Sequence, residues 1–85
     1  MFKLYILYSE KLDRYYVGYT NDLERRIAEH NRVKGKYTDT GIPWQLTYFE
    51  TYQDKPSAMA RERFIKSRKS RQFIRDLIKT SQAGR

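Results

Sequence analysis

The stretch "YYVGYTNDLERRIAEH", Tyr15 to His30, changes its period partway along. Tyr15 to Tyr19 is rich in aromatic and β-branched residues and reads as a strand. From Leu23 onward the apolar residues fall at helical spacing, with Leu23 and Ile27 one turn apart. At the seam, Thr20 or Asn21 is placed to cap the helix, and Asp22 and Glu24 suit its positive N-terminal end. Gly18 stands where a side chain would block a close approach or where the strand must bend. The 100° step of a helix puts Arg26 and His30 beside the Leu23–Ile27 stripe and not opposite it. They sit at the edge of the core, where a cleft can open. His30 is the single histidine of the chain.

Upstream, Phe2 to Tyr8 alternates in the manner of a strand, with bulky groups on both faces, which predicts a central strand. The polar turn "SEKLDR" then makes an antiparallel hairpin with Tyr15–Tyr19. Downstream, "NRVKGKYTDTGIP" is punctuated by Gly35, Gly41 and Pro43 and reads as a loop of about a dozen residues, a length often tied to function. Trp44 to Thr51 is a third strand. Asp54 through Arg68 is a second helix, with Pro56 tolerated in its first turn. After the break "SRKS", Ser70 can cap a last helix striped by Phe73, Ile74, Leu77 and Ile78. The order β-β-α-β-α-α predicts a small α+β domain, a three-stranded antiparallel sheet flanked by helices.

The 85 residues allow one small domain with one modest core. The chain contains no cysteine, which excludes disulfides and cysteine-based zinc sites. One histidine excludes a multi-histidine metal site. A metal would be held by carboxylate and water, which favours a hard cation such as magnesium or manganese. The apolar start "FKLYILY" is too short for a membrane span and lacks a small-residue cleavage site, so the default is a soluble cytoplasmic protein. The net charge is +8, and residues 1–54 hold eight basic and eight acidic side chains. Residues 55–85 hold ten basic against two acidic. An excess on one side of the chain suggests a polyanionic partner, and the plain alternative is a solvated helix surface.

Three groups of residues could carry chemistry. Ala58, Glu62 and Ile65 share a helical face, which places the Glu62 carboxylate among apolar side chains. Such a carboxylate needs a partner. That partner is a salt bridge to a nearby arginine such as Arg61 or Arg63, or else a bound cation. Arg26 and His30 can line the core edge and settle the helix end. Alternatively, they pair a phosphate-clamping guanidinium with a proton-moving imidazole. Tyr5 and Tyr16 belong to neighbouring strands of one hairpin, where packing is the ordinary role of a tyrosine.

Read together, "LYIL", then "YYVG" eleven residues later, then T-x-D-L-x-x-R-x-x-x-H, then RE-x-x-IK, resemble the GIY-YIG nuclease domain. The resemblance is to its small stand-alone bacterial members, similar to the nuclease modules of excision-repair endonucleases. It covers residues 1–79 and leaves residues 80–85 as a tail expected to fray. The family's first-motif tyrosine falls on Tyr5, and its second motif is Tyr16-Val17-Gly18. Its arginine falls on Arg26, the following histidine on His30 and the metal-binding glutamate on Glu62. Lys3-Leu4-Tyr5 keeps the tyrosine of Gly-Ile-Tyr and loses the glycine. No asparagine follows Asn31 to fill a late site position that some members carry.

The resemblance implies metal-dependent hydrolysis of DNA phosphodiesters, with one Mg2+ or Mn2+ on Glu62. Arg26 would meet the charge that builds on the phosphate. Tyr5 is the first choice for the base, with His30 taking the proton onward and Tyr16 orienting water or substrate, although the two tyrosines could exchange roles. Lys36, Lys66, Arg68, Lys69, Arg71, Arg75 and Lys79 are candidates for backbone contacts to DNA. In "KYTDT", Asp39 weakens a phosphate-binding role for that turn. No element for reading base edges is evident, which predicts structure- or context-directed cutting in repair or recombination, with a partner protein as one source of specificity. The alternatives are a nucleic-acid-binding module on the same fold without turnover, and a structural protein whose basic helices bind RNA or a partner.

Overall fold

A computed structural model describes residues 1–83. Among these, the elements run β1 (Phe2–Ser9), β2 (Arg14–Thr20), α1 (Leu23–His30), β3 (Trp44–Tyr52), α2 (Lys55–Arg68) and α3 (Arg71–Ala83), the predicted order. The sheet is antiparallel with spatial order β2-β1-β3, so β1 is the central strand, as its two bulky faces predict. One face of the sheet places Leu4, Ile6 and Val17 against Ile65 of α2, joined by Phe73, Ile74 and Leu77 of α3. The other face gathers Tyr5, Leu7 and Trp44 under Leu23 and Ile27 of α1. A central strand buried on both sides is why Phe2–Ser9 carries apolar groups at nearly every position. No helix among the described residues is long and apolar enough to cross a membrane.

Several local details differ from the sequence reading. The α1 cap is Asp22 and neither Thr20 nor Asn21. Its Oδ1 accepts from the Arg25 N–H at 3.1 Å, while the Thr20 Oγ1 accepts from the Asp22 N–H at 3.0 Å. The strand thus runs through Thr20, and a carboxylate displaces the amide at the positive helix end. The long loop holds a short 3-10 turn, Tyr37–Gly41, drawn in by Asp39, whose Oδ2 accepts from the Lys34 N–H at 2.9 Å and the Lys36 N–H at 3.0 Å. Asn31 ties the end of α1 to the start of β3 through paired hydrogen bonds with the Trp44 backbone. Ser70 does cap α3, accepting from the Phe73 N–H at 3.0 Å. Residues 80–83 continue α3 where fraying is expected. Gln82 and Ala83 are good helix formers, and Thr80 and Ser81 are weaker ones. The last two residues of the expected tail lie outside the described residues.

Candidate active site

The site is built around the pairing of Tyr5 with Gly18. These residues are directly opposite on β1 and β2. Tyr5 is 1 % exposed, and its ring lies across the strand at the place a side chain on residue 18 would occupy. A Cβ there would stand 2.6 Å from the Tyr5 hydroxyl oxygen and 2.7 Å from Cζ. Gly18 therefore provides the seat for Tyr5, which answers why a glycine interrupts a strand.

Tyr5, Tyr16 and His30 form one aromatic group. The Tyr5 hydroxyl lies 3.2 Å from His30 Nε2. The Tyr16 ring packs edge-on to His30 with centroids 4.5 Å apart, and is stacked 6.4 Å from Tyr5. Burial and then the neighbouring Tyr16 push the Tyr5 hydroxyl well above the ordinary tyrosine range, against a smaller pull from Arg26. Burial and then the Lys34 and Arg26 charges push His30 below its usual value. The two atoms are within hydrogen-bond distance, and the tautomer of His30 sets which of them donates. With the imidazole proton on Nδ1, the Tyr5 O–H donates and Nε2 accepts.

A cleft of about 380 Å³ opens beside this group, along the edge strand β2. Tyr5, Tyr16, Gly18, Arg26, Lys55 and Glu62 line it, from both of these strands and from α1 and α2. Glu62 and Arg26 thus face one space. His30 reaches the cleft through its hydrogen bond to Tyr5 and lines an adjoining hollow with Tyr16 and Arg26. Ala58 and Ile65 are buried on the Glu62 face as the spacing predicts, and the Glu62 side chain is 22 % exposed.

The partner of Glu62 is Lys66, one turn on, at 3.5 Å, and not Arg61 or Arg63. Arg61 is engaged elsewhere. Its Nε and Nη2 donate to the two Glu50 carboxylate oxygens at 3.0 and 3.1 Å. The Lys66 side chain is more than half exposed, so its pair with Glu62 is easily exchanged. Among the described residues no group of three or more acidic or histidine side chains gathers to hold a metal. Glu62 is the one carboxylate lining the cleft, which also holds the Arg26 and Lys55 cations and the polar side chains of Thr20 and Asn21. A single carboxylate with no sulfur or imidazole lining the same hollow fits a hard cation that would keep most of its water and take further ligands from phosphate.

The basic candidates divide into distinct settings. Lys36 lines the hollow that holds His30 and Arg26. Lys66 and Lys69 line another hollow, which begins at Arg14 and also reaches Tyr16. Arg71 lines that hollow too, but it is engaged with Asp13, donating from Nη1 to the backbone oxygen at 2.7 Å and from Nη2 to the carboxylate. Arg68 lies over the rings of Phe64 and Phe73, and Arg75 and Lys79 line a separate hollow with Asp76. Arg14, Arg32, Lys34 and Lys55 are lining residues the sequence reading missed. The one available signal was the clustering of cations in "NRVKGK", just after His30.

The family model of the GIY-YIG catalytic domain matches residues 1–75. A UPF0213 protein of Streptococcus pyogenes serotype M3 is 42% identical over 82 residues, spanning 94% of this chain and 89% of the relative. A UPF0213 protein from serotype M1 gives the same identity and coverage. Among solved structures, the solution NMR structure of a UPF0213 protein from Bacillus halodurans is similar, with a TM-score of 0.59 and 28% identity. That match covers 94% of this chain and 85% of the other. The chain belongs to the GIY-YIG catalytic-domain family, and its fold is a nuclease fold.

Proposed function

We propose that the chain is a divalent-metal-dependent DNA endonuclease that hydrolyses phosphodiester bonds, directed by DNA structure or context, in repair or recombination. The observation that carries this reading is the cleft itself. The Arg26 guanidinium, a lone carboxylate and a tyrosine–histidine pair within hydrogen-bond distance meet at the edge of β2. Binding alone gives no reason to set a carboxylate beside a phosphate site, where it repels the ligand unless a cation intervenes.

Arg26 meets the scissile phosphate with a planar, permanently charged fork and stabilises the charge that develops there. Glu62 would hold one hydrated Mg2+ or Mn2+ in place of its contact with Lys66, which would then be free for the DNA backbone. The ion would supply positive charge to offset that on the phosphate and the leaving oxygen. Tyr5 is poorly suited to become a free tyrosinate, since burial holds its proton. It does not need to. As the attacking water gives a proton to the Tyr5 oxygen, the Tyr5 proton moves along the 3.2 Å contact to His30 Nε2, which accepts it in the tautomer protonated on Nδ1. Tyr16, half-buried at the mouth, orients water or substrate.

With extents of 32 × 27 × 26 Å, the described chain covers one side of a duplex, consistent with a partner protein or a DNA structure supplying specificity. The setting is the cytoplasm, where DNA and Mg2+ are at hand. The test is nicking of supercoiled, branched and flapped DNA with Mg2+ or Mn2+. The expected result is metal-dependent cleavage that falls ~100-fold or more in Arg26→Ala. Equal cleavage by wild type and Arg26→Ala on every substrate, or none by either, overturns the reading.

A further inference from the structure

Among the described residues, Phe2 and Tyr19 are half-buried aromatic side chains that pack into neither core. Phe2 opens β1, and Tyr19 is the next-to-last residue of β2. Tyr19 stands directly opposite Leu4, two residues on from Phe2, so all three share the sheet face that α2 and α3 cover. Leu4 goes fully into that core, with Ile6, Val17 and Ile65. Phe2 and Tyr19 line the cleft instead. Neither ring pairs with another aromatic ring among the described residues.

The two rings mark one end of the cleft. Tyr16 marks the other, where the cleft meets the hollows that hold His30 and Lys69. Phe2 and Tyr19 line neither of those hollows. Tyr16 and Tyr19 are about 10 Å apart at strand rise, and Gly18, the seat of Tyr5, lies between them. Beside the two rings the cleft is lined by Asn21, just before α1, and by Lys55 in the first turn of α2. Lys55 makes no ion pair among the described residues. A cation in the first turn of a helix meets the positive pole, so α2 itself gains nothing from it. Aromatic faces with amide and ammonium donors at the rim suit a flat group with apolar faces and acceptors on its edge. On a nucleic acid that group is a base and not a phosphate.

We infer that the Phe2–Tyr19 end of the cleft is a stacking site for one unpaired nucleobase next to the reacting linkage. The base lies against the two rings, with Asn21 and Lys55 at its edge. Inside a duplex both faces of a base are covered by its neighbours, and bringing one out costs unstacking and unpairing. A nucleotide that is already unpaired is spared that cost, and stacking on an aromatic ring accepts any base. The site therefore reads the presence of an unpaired nucleotide and not its identity, which gives a DNA-structure preference a physical origin. It rests on the nuclease reading for the cut, while the stacking itself is a statement about binding.

Binding is therefore measured with the full chain and no divalent metal, by fluorescence anisotropy on a labelled flapped DNA duplex at one fixed salt concentration. Wild type should prefer the flap to a fully paired duplex. Each unpaired nucleotide near the junction is then replaced in turn by an abasic analogue, and at one position the loss of the base should weaken binding about tenfold. Phe2→Leu with Tyr19→Leu keeps apolar side chains and removes both rings. This double variant should bind the intact flap about tenfold more weakly and the paired duplex as wild type does. On the critical abasic flap the two losses should not add, because each removes one side of the same stack. Wild type that shows no flap preference, or tolerates an abasic site at every unpaired position, overturns the stacking site even if the double variant fails to fold. Losses that add, or an equal loss on the paired duplex, overturn it too. Mg2+ is then supplied to wild type on the same flap. Coupled losses in a protein that never cuts sustain the stacking site and sink the nuclease reading, and cleavage without any abasic effect does the reverse.

Discussion

Tyr5 keeps its position because residue 18 has no side chain. Alanine there brings a Cβ to within 2.6 Å of the Tyr5 oxygen and 2.7 Å of ring carbon Cζ, so the buried ring must move. Displacing it breaks the hydrogen bond to His30 and shifts the hydroxyl relative to Arg26. Gly18→Ala should lower cleavage about 100-fold, since a misplacement near 1 Å costs that much. It should destabilise the fold by only about 1–3 kcal/mol, as kinetics and thermal melts together will show. The five candidate residues were singled out by the resemblance to the GIY-YIG domain, and strand and helix periods account for their neighbouring positions. Tyr5 and Tyr16 alternate correctly on paired strands, and Arg26 and His30 stand one turn apart. The shifted proton affinities of Tyr5 and His30 were not legible. They follow from burial, which raises one group and lowers the other, and burial is a property of the folded chain.

The elements are held in register by polar groups that bridge them. Glu50 on β3 accepts from the Tyr48 and Tyr52 hydroxyls and from both arms of the Arg61 fork on α2. Burial alone would raise the Glu50 carboxyl, but these hydrogen bonds outweigh it and hold it below the ordinary glutamate value. Because the folded value is depressed, the stabilisation is fully present above the unfolded value near 4.5. It is lost as pH falls through the folded value. Glu50→Gln should cost about 1–3 kcal/mol at neutral pH, since Arg61 is left without its charge partner. The variant should also lose less stability than wild type between about pH 5 and 3, measured by urea melts across that range. Some acid loss remains, because the caps and loop ties of Asp54 and Asp39 are also depressed by hydrogen bonds from backbone N–H groups.

Element order was readable from periodicity, and strand ends came within one residue of those observed. The distribution of charge was not. Counting along the chain puts the whole excess after residue 54, yet Asp13 and Glu50 cross over to neutralise Arg71 and Arg61. That leaves early cations such as Arg14, Arg32 and Lys34 unpaired among the described residues beside the cleft. Net charge by segment is a sum over sequence, and a ligand meets a sum over space.

At the scale of the whole molecule, the sheet edge gathers residues from Tyr5 to Glu62 into one cleft. Each of the four contributing elements brings a different chemical capacity. β1 brings the buried Tyr5 hydroxyl, β2 the Tyr16 ring beside Gly18, α1 the Arg26 guanidinium and α2 the Glu62 carboxylate. The nucleic-acid-binding alternative shares every feature except a use for Glu62. The decisive measurement therefore compares wild type with Glu62→Gln on one flapped DNA duplex, recording binding and Mg2+-dependent cleavage side by side. A nuclease predicts that Glu62→Gln binds DNA at least as tightly as wild type, because a negative charge has been removed from a phosphate site, while cleavage falls by ~100-fold or more. Cleavage that survives the substitution unchanged, or wild-type protein that binds this DNA and leaves it intact in Mg2+ and in Mn2+, contradicts the assignment.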